Sequence, residues 1–323
     1  MKAFTNIEQQ IELLKTRNLK FFSEELAVQA LQNYGYYEIV NGYKIFIIDM
    51  DSEEDHFKDN ETFEHLLSLY KLDKNIRNAV VESLIEIELS LRTAISYIIA
   101  KDFGVQESEY LKRNNYNPGK KNKKGYQIDQ LLGKLNKISQ DKIEPYKHYR
   151  EVHGHIPPWI LLKGTTLGNL VTMIKLLKPE QKNQVVSTCL GLPVELVTND
   201  LKETFSEMLF LILAFRNRAA HSGRLFNFKS DKYSMQFREF FHERMGIDQA
   251  KYRKGFGKND LFTLFNVVSL FANGIAKSRL NFGVFYFLKQ HLRNFPEDDV
   301  MFSIGTGMPM TFLEEQIERI KGL

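Results

Sequence analysis

Two basic side chains five residues apart, Arg216 and His221, are the pair in this sequence best suited to chemistry. They lie in the segment AFRNRAAHSGRLFN, directly after an apolar run that predicts a buried helix face. An imidazole can transfer a proton near neutral pH, and a guanidinium can stabilise negative charge on a phosphoryl oxygen. Together they suit metal-free RNA cleavage, in which a ribose 2′-hydroxyl attacks the adjacent phosphate.

A predicted helix over 200–221 would position these groups. At about 100° per residue, Asn217 and His221 share one face of the helix, and the long side chain of Arg216 can span the remaining angle. Gly223 predicts the end of the helix, which places His221 in the last turn. There the helix dipole favours the imidazolium form.

The spacing of this pair is weak as a signal on its own. Arg150 and His155 have the same spacing in REVHGH, where Gly154 and the following prolines disfavour a helix. An arbitrary pair of this kind more often marks a helix end with surface charge. The interpretation of Arg216 and His221 therefore depends on the rest of the chain.

Composition and charge restrict the class of protein. The chain has 323 residues, 44 Lys and Arg against 40 Asp and Glu, a formal charge of +4 and 43% hydrophobic residues. This allows one large globular domain or two that share a core. The single cysteine, Cys189, excludes an internal disulfide and a cysteine-based zinc cluster. No apolar run approaches the roughly 20 residues of a membrane span, so we expect a cytoplasmic protein.

Helical patterns dominate the chain, and we predict an all-α fold. The clearest helix starts at Asp73, where apolar residues recur every three or four positions. Thr5 followed by Glu8 predicts the cap of the first helix, and Ser23 predicts the start of the second. The aromatic segment from Tyr34 to Ile48 fits either a short hairpin or packing between helices. The remaining helices are predicted over 127–143, 167–177, 179–189 and 261–277.

Two stretches of low hydrophobicity, 114–125 and 250–259, are predicted to be exposed loops. Their lysines are interleaved with aromatic residues, which suits phosphate neutralisation together with base stacking, although solvated loops explain them equally well. The candidate RNA contacts are Lys120, Lys121, Lys123, Lys124, Lys251, Arg253, Lys254 and Lys258.

Other candidate sites are weaker. The histidines at 148, 153 and 155 have no cysteine or paired carboxylate nearby, so we expect exposed loop histidines, no metal ion and no cofactor. Glu88 and Arg92 are predicted to form a pair within the long helix. The fragment GFGKND lacks the spacing of a phosphate-binding loop and predicts a turn.

The segment from Arg216 to His221, followed by RLFN, closely resembles the motif of the Abi-like abortive-infection proteins of the AbiD/AbiF type, in the HEPN superfamily of helical ribonucleases. Further similar segments follow the family's order: IEQQIELLKTRNL, NYGYYEIVNGYKIFI, IEIELSLRTAISYIIAKDFG and PPWILLKGTTLGNLVTMIKLL. The chain differs from many relatives at Ser222, where they have a second histidine, and at Lys163, where they have a glutamate.

The resemblance implies a metal-independent endoribonuclease of an abortive-infection or toxin–antitoxin system that cuts single-stranded RNA. Arg216 and His221 would be catalytic, with Asn217 and Arg224 in support. Because the chain has one copy of the motif, the resemblance implies a homodimer with a shared active cleft. The implied fold is a HEPN-type helical bundle with N-terminal and C-terminal helical extensions.

The expected segments are 1–59, 60–228 and 229–323, together in one compact unit. The alternative function is a non-cleaving RNA-binding protein or sensor, acting as the protein half of a ribonucleoprotein with a small non-coding RNA. In both cases RNA is the expected partner, as a substrate or as an inhibitor. A helical scaffold that senses a phage protein has no support from particular residues.

Overall fold

The structure is a computed structural model that describes residues 4–52 and 55–320. Helices dominate it, which confirms the prediction of an all-α fold. Within the described ranges, no helix is both long enough and apolar enough to cross a membrane. The α-helices are α1 (Ile7–Thr16), α2 (Glu24–Tyr34), α3 (Phe63–Phe103), α4 (Glu107–Tyr110), α5 (Gln127–Ser139), α6 (Tyr146–Val152), α7 (Pro158–Leu161), α8 (Leu167–Leu176), α9 (Pro179–Leu190), α10 (Asn199–Ala220), α11 (Glu239–His242), α12 (Gln249–Arg253), α13 (Leu261–Ser269), α14 (Gly274–Leu292), α15 (Asp298–Thr306) and α16 (Met310–Arg319).

The chain divides into two compact units. The first comprises the described residues of Met1–Ala79, Arg218–Phe228 and Asn281–Leu323. The second comprises Val80–Asn217 and Lys229–Leu280. The three-segment division expected from the sequence stays a prediction.

Helix α3 begins at Phe63, ten residues before the predicted start at Asp73. The added turns are buried on several sides and so lack the single apolar stripe that marks the rest of the helix. The Thr62 hydroxyl accepts a hydrogen bond from the backbone N–H of His65 at 3.2 Å, which caps the true start.

The aromatic segment of the first unit packs between helices, and the hairpin alternative is wrong. Its backbone folds into a π-helical turn over Tyr37–Asn41 and a 3₁₀ turn over Lys44–Phe46. The Tyr34 ring lies 4.9 Å from that of Tyr70, and the Tyr43 ring lies 6.2 Å from the same partner. These local turns satisfy the backbone groups that a hairpin would otherwise pair.

Three predicted helix ends differ from the structure. The capping box of α1 uses Asn6 with Gln9, one residue after the predicted pair, because asparagine caps at least as well as threonine. Helix α5 ends at Ser139, four residues earlier than predicted. The helix predicted over 261–277 is two helices, because the Asn273 side chain accepts a hydrogen bond from the N–H of Ile275 at 3.1 Å and starts α14 anew.

The two stretches predicted to be loops contain short regular elements. The first forms an antiparallel hairpin of β1 (Lys121–Asn122) and β2 (Gly125–Tyr126), in which Lys121 pairs with Tyr126. The second overlaps α12, which the Asp248 side chain caps by accepting a hydrogen bond from the N–H of Lys251 at 2.7 Å. The prediction of loops is therefore wrong in these parts.

Candidate functional site

The end of α10 positions the predicted catalytic residues. The helix ends at Ala220, so His221 is the capping residue rather than part of the last turn, as the sequence predicted. Ser222 takes a left-handed conformation with φ of 57°, and the N–H groups of Ser222 and Gly223 donate to carbonyl oxygens of the last helical turn. This Schellman arrangement provides hydrogen-bond donors for carbonyl oxygens at the end of the helix, with serine instead of glycine in the left-handed position.

The side chains of the motif are open to ligands. Asn217 and His221 are exposed, and Arg216 is half-buried. Within residues 4–52 and 55–320, these three side chains make no hydrogen bond, ion pair or ring contact. Their donors and acceptors are consequently free to bind a substrate.

The segment that follows the motif is anchored by a buried carboxylate. Asp73 is fully buried, and its Oδ1 accepts hydrogen bonds from the backbone N–H groups of Leu225 and Phe226, both at 2.8 Å. Its Oδ2 accepts a bond from the Tyr43 hydroxyl at 2.9 Å and one from the Arg77 guanidinium. Tyr43 and Arg77 hold the Asp73 carboxylate in place. The carboxylate in turn fixes the backbone at Leu225 and Phe226, four and five residues beyond His221.

Burial in this network shifts the pKa values of Asp73 and Tyr43. Burial raises the pKa of Asp73 above its ordinary value, while the Arg77 guanidinium and the two backbone donors act in the opposite direction. Burial also raises the pKa of Tyr43 far above its ordinary value, so its hydroxyl stays protonated and donates to the carboxylate.

Arg224 takes part in the same anchoring. Its Nε donates to the side-chain oxygen of Asn227 at 2.8 Å, and its Nη1 donates to the carbonyl oxygen of Gly42. The guanidinium also lies 5.1 Å from the centre of the Phe46 ring. These contacts are structural, and a phosphate contact by Arg224 stays a prediction.

Arg218 lies along the turn after the helix. Its Nε donates to the carbonyl oxygen of Arg224 at 3.2 Å, and its guanidinium lies 5.4 Å from the centre of the Phe228 ring. A Cβ atom at Gly223 would lie 2.2 Å from that Nε, so a larger residue here would displace the Arg218 side chain from its present position. The turn is thus shaped by Arg218 as well as by the backbone.

A family model described as Abi-like protein matches residues 29–227 of the chain. The chain belongs to the Abi-like protein family. The resemblance found in the sequence is thereby confirmed, and the match includes Arg216, Asn217, His221 and Arg224. Searches of curated proteins and of solved structures found no match.

The basic clusters of this Abi-like protein lie in its second unit. All four lysines of the hairpin region are exposed, at 120, 121, 123 and 124. Lys251, Arg253 and Lys254 are exposed as well, although Lys251 Nζ donates to the Gly246 carbonyl oxygen at 2.9 Å. Lys258 is half-buried, with its ammonium 4.5 Å from the centre of the Tyr252 ring. A role of these residues in RNA binding stays a prediction.

The structure also locates the two weaker candidate pairs, Arg150 with His155 and Glu88 with Arg92. Helix α6 ends at Val152, so it contains Arg150 but not His155, whose Nδ1 lies 3.0 Å from the His153 carbonyl oxygen. The predicted pair within α3 is confirmed, since the Arg92 guanidinium donates to the Glu88 carboxylate at 2.7 Å. The Arg92 Nε also donates to the backbone carbonyl oxygen of Leu162, so this guanidinium has two partners.

Sequence reasoning missed a cluster of two histidines and an aspartate in the first unit, which we call the His–Asp–His cluster. Its members are His65, His291 and Asp298. Asp298 Oδ2 lies 2.7 Å from His65 Nε2 and 2.8 Å from His291 Nε2. Both rings are buried, and the cluster lines a cavity of about 1060 Å³.

Two members of the cluster, His65 and Asp298, have shifted pKa values that favour their charged forms. Burial lowers the pKa of His65, but hydrogen bonds with Asp298 and Glu61 outweigh it and raise the pKa to about 9. Burial raises the pKa of Asp298, but the two histidines reverse this and lower it to about 2. His65 and Asp298 are 233 residues apart in the sequence, so no local motif announces the cluster.

Proposed function

We propose that this Abi-like protein is a metal-independent HEPN endoribonuclease that acts in abortive infection by cutting single-stranded RNA. The observation that supports it best is the pair of Arg216 and His221 at the end of α10, with side chains that have no partner among the described residues. Family membership supports the role in abortive infection.

The reaction needs a proton transfer and stabilisation of charge. The ribose 2′-oxygen forms a bond to the adjacent phosphorus as its proton passes to an imidazole, and the bond from phosphorus to the 5′-oxygen breaks. The departing 5′-oxygen takes a proton, which leaves a 2′,3′-cyclic phosphate and a 5′-hydroxyl. His221 supplies the imidazole, and the Arg216 guanidinium stabilises the extra negative charge on phosphorus oxygens.

The family resemblance implies two copies of the motif in one active cleft, and each chain has one copy. We therefore propose a homodimer in which one His221 accepts the proton and the partner's His221 donates the other. Light scattering of the purified protein should give twice the chain mass of 37.8 kDa. A monomer that cleaves RNA at full rate would contradict this arrangement.

The test of the function compares matched arginine variants. Untagged wild-type protein should cut a single-stranded RNA in the presence of a chelator and leave cyclic phosphate ends. Arg216→Ala should lose this activity, whereas Arg244→Ala, an exposed arginine outside the motif, should keep it. Equal cleavage by both variants would show that the site is assigned wrongly.

The basic clusters support a second candidate, an RNA-binding protein that does not cleave. This candidate is supported by the exposure of the lysines at 120, 121, 123 and 124, because a surface that binds the RNA phosphate backbone requires accessible cations. The absorbance ratio at 260 and 280 nm, followed by sequencing of the co-purifying RNA, separates the two. One discrete, uncut RNA species together with no cleavage by the wild type would favour the binder.

A further inference from the structure

The His–Asp–His cluster brings three potential metal ligands together from distant parts of the chain. His65 lies in the first turn of α3, His291 lies near the end of α14, and Asp298 begins α15. One ligand atom from each lies within 4.8 Å of the other two. Both Nε2 atoms face the same carboxylate oxygen, Asp298 Oδ2. Two imidazole nitrogens and one carboxylate oxygen therefore lie together, with the oxygen between the two nitrogens.

The outer nitrogens of both rings are already oriented. His65 Nδ1 lies 2.6 Å from the Glu61 carboxylate, and His291 Nδ1 lies 2.7 Å from the Ser68 hydroxyl oxygen. Metal-binding histidines almost always make such a second hydrogen bond through the nitrogen that does not bind the metal. The Phe295 ring stacks on His65 at 4.1 Å between centroids and holds the plane of that imidazole.

We propose that His65, His291 and Asp298 bind one divalent transition-metal ion of the Zn²⁺ class. Two imidazoles and one carboxylate suit zinc, whereas Mg²⁺ prefers a shell of oxygen atoms. The fourth position faces the cavity that the cluster lines, so a water molecule or a small ligand completes the coordination.

Binding requires a small opening of the cluster and the release to solvent of the protons through which the two Nε2 atoms contact Asp298, so zinc affinity should fall as the pH is lowered. Ligand atoms about 2.1 Å from a tetrahedral zinc ion lie about 3.4 Å from one another, compared with the present 2.7 and 2.8 Å. Asp298 must therefore move outward by roughly 0.6–0.7 Å to admit the metal. It is the most exposed of the three side chains and starts a helix, which makes it the ligand best able to move.

The site joins parts of the first unit that come from opposite ends of the chain. A bound ion would fix the start of α3 to the end of α14 and the start of α15, and the unfolded chain has no such site. None of its ligands takes part in the proposed RNA cleavage. Metal removal should therefore affect stability and leave metal-free cleavage unchanged.

The experiment uses untagged full-length protein, stripped with a chelator and then titrated with Zn²⁺ alone. We expect one equivalent of zinc to bind and the melting temperature to rise by roughly 3–8 °C at a hundredfold excess over the Kd. Cobalt(II) in place of zinc should give the visible absorption bands of a four-coordinate site. A wild-type protein that takes up no zinc at micromolar concentration would overturn the proposal.

Three variants locate the ion. Asp298→Asn keeps an acceptor for the imidazoles and should lose the stoichiometric binding, and Glu61→Gln should weaken it by about 10- to 100-fold. The double variant His148→Gln with His153→Gln removes two exposed histidines outside the cluster and should bind zinc like the wild type. If Asp298→Asn does not fold, Glu61→Gln provides the test. Unchanged affinity in Glu61→Gln, or loss in the double variant, would contradict the assignment.

Discussion

Histidine occupies two opposite environments in this Abi-like protein. His221 is exposed at the end of α10, and its ring has no partner among the described residues. His65 and His291 are buried, and both nitrogens of each ring lie within 2.8 Å of an oxygen atom. The first ring is free to act on a ligand, whereas the other two hold parts of the chain together.

The difference illustrates that hydrogen-bond partners, more than residue type, decide whether a histidine side chain is available to a ligand or is held within the fold. A proton-transferring imidazole needs a free nitrogen at the substrate, so the fold must leave it without partners. A buried imidazole needs partners on both sides, because an unsatisfied buried nitrogen costs stability. The same distinction separates the free guanidinium of Arg216 from the engaged one of Arg224.

The largest expected effect comes from removal of the free ring. His221→Ala should reduce RNA cleavage by about 10³-fold, within the usual range for a general acid or base. Because the side chain is exposed and has no described partner, the free energy of unfolding should change by no more than about 0.5 kcal/mol. Gel assays of cleavage and urea denaturation measure the two. His148→Ala, another exposed histidine, is the control and should retain full activity.

The backbone that follows His221 is held by the buried carboxylate of Asp73. Removal of that carboxylate tests the structural role of buried, fully paired groups. Asp73→Ala should lower the free energy of unfolding by about 3–5 kcal/mol, because Arg77 is left as a buried charge without its carboxylate. Asp129→Ala, which breaks an exposed pair with Arg113, should leave the free energy of unfolding nearly unchanged. Similar losses measured by urea denaturation would show that Asp73 is not an anchor.

The paired rings predict a dependence of stability on pH in chelated protein. The pKa of His65 is raised to about 9 by Asp298 and Glu61, with His291 facing the same carboxylate. Its contribution is complete below about pH 6.5, the ordinary value, and disappears as the pH rises through 9. The free energy of unfolding should fall by at most roughly 3 kcal/mol over that interval.

Urea denaturation at several pH values checks this dependence. His65→Gln should remove the decline, and His148→Gln should retain it. A wild-type profile that is flat between pH 6.5 and 9 would mean that the buried ring is not held by its carboxylates.

The smallest effect concerns the turn beside the free ring. Ser222 has a positive φ of 57°, which costs a residue with a Cβ atom more than it costs glycine. Ser222→Gly should therefore raise the free energy of unfolding by about 0.5–1 kcal/mol, with cleavage unaffected. Ser222→Ala, which keeps the Cβ, should give no gain. A loss of stability in the glycine variant would contradict the left-handed conformation.

Local signals in the sequence were sufficient for most of the fold. The Ser23 hydroxyl caps α2 as predicted, accepting a hydrogen bond from the N–H of Leu26 at 3.2 Å. Pro179 begins α9, also as predicted, because its missing N–H and fixed φ suit the first helical position. Such features depend on a few neighbouring residues, which a sequence displays directly.

The predicted helix starts were wrong where neighbouring residues can cap a helix equally well, or where burial on several sides removes the amphipathic pattern. Asn6 and Thr5 can both cap a helix, and the turns from Phe63 onward are buried on several sides, so polar residues there interrupt a single apolar stripe. The candidate motif at Arg216 and His221 was visible because both residues belong to one helix end. The His–Asp–His cluster was not, since its members meet by tertiary folding alone.

The separation between His65 and Asp298 also has a consequence for protein synthesis. A ribosome adding 5–20 residues per second needs on the order of 10 to 50 s to make the 233 residues between them. Throughout that interval the nascent chain presents His65 and Glu61 without their third partner. The first unit therefore closes after most of the chain has emerged, and a chain truncated before residue 298 lacks the carboxylate that both buried rings contact.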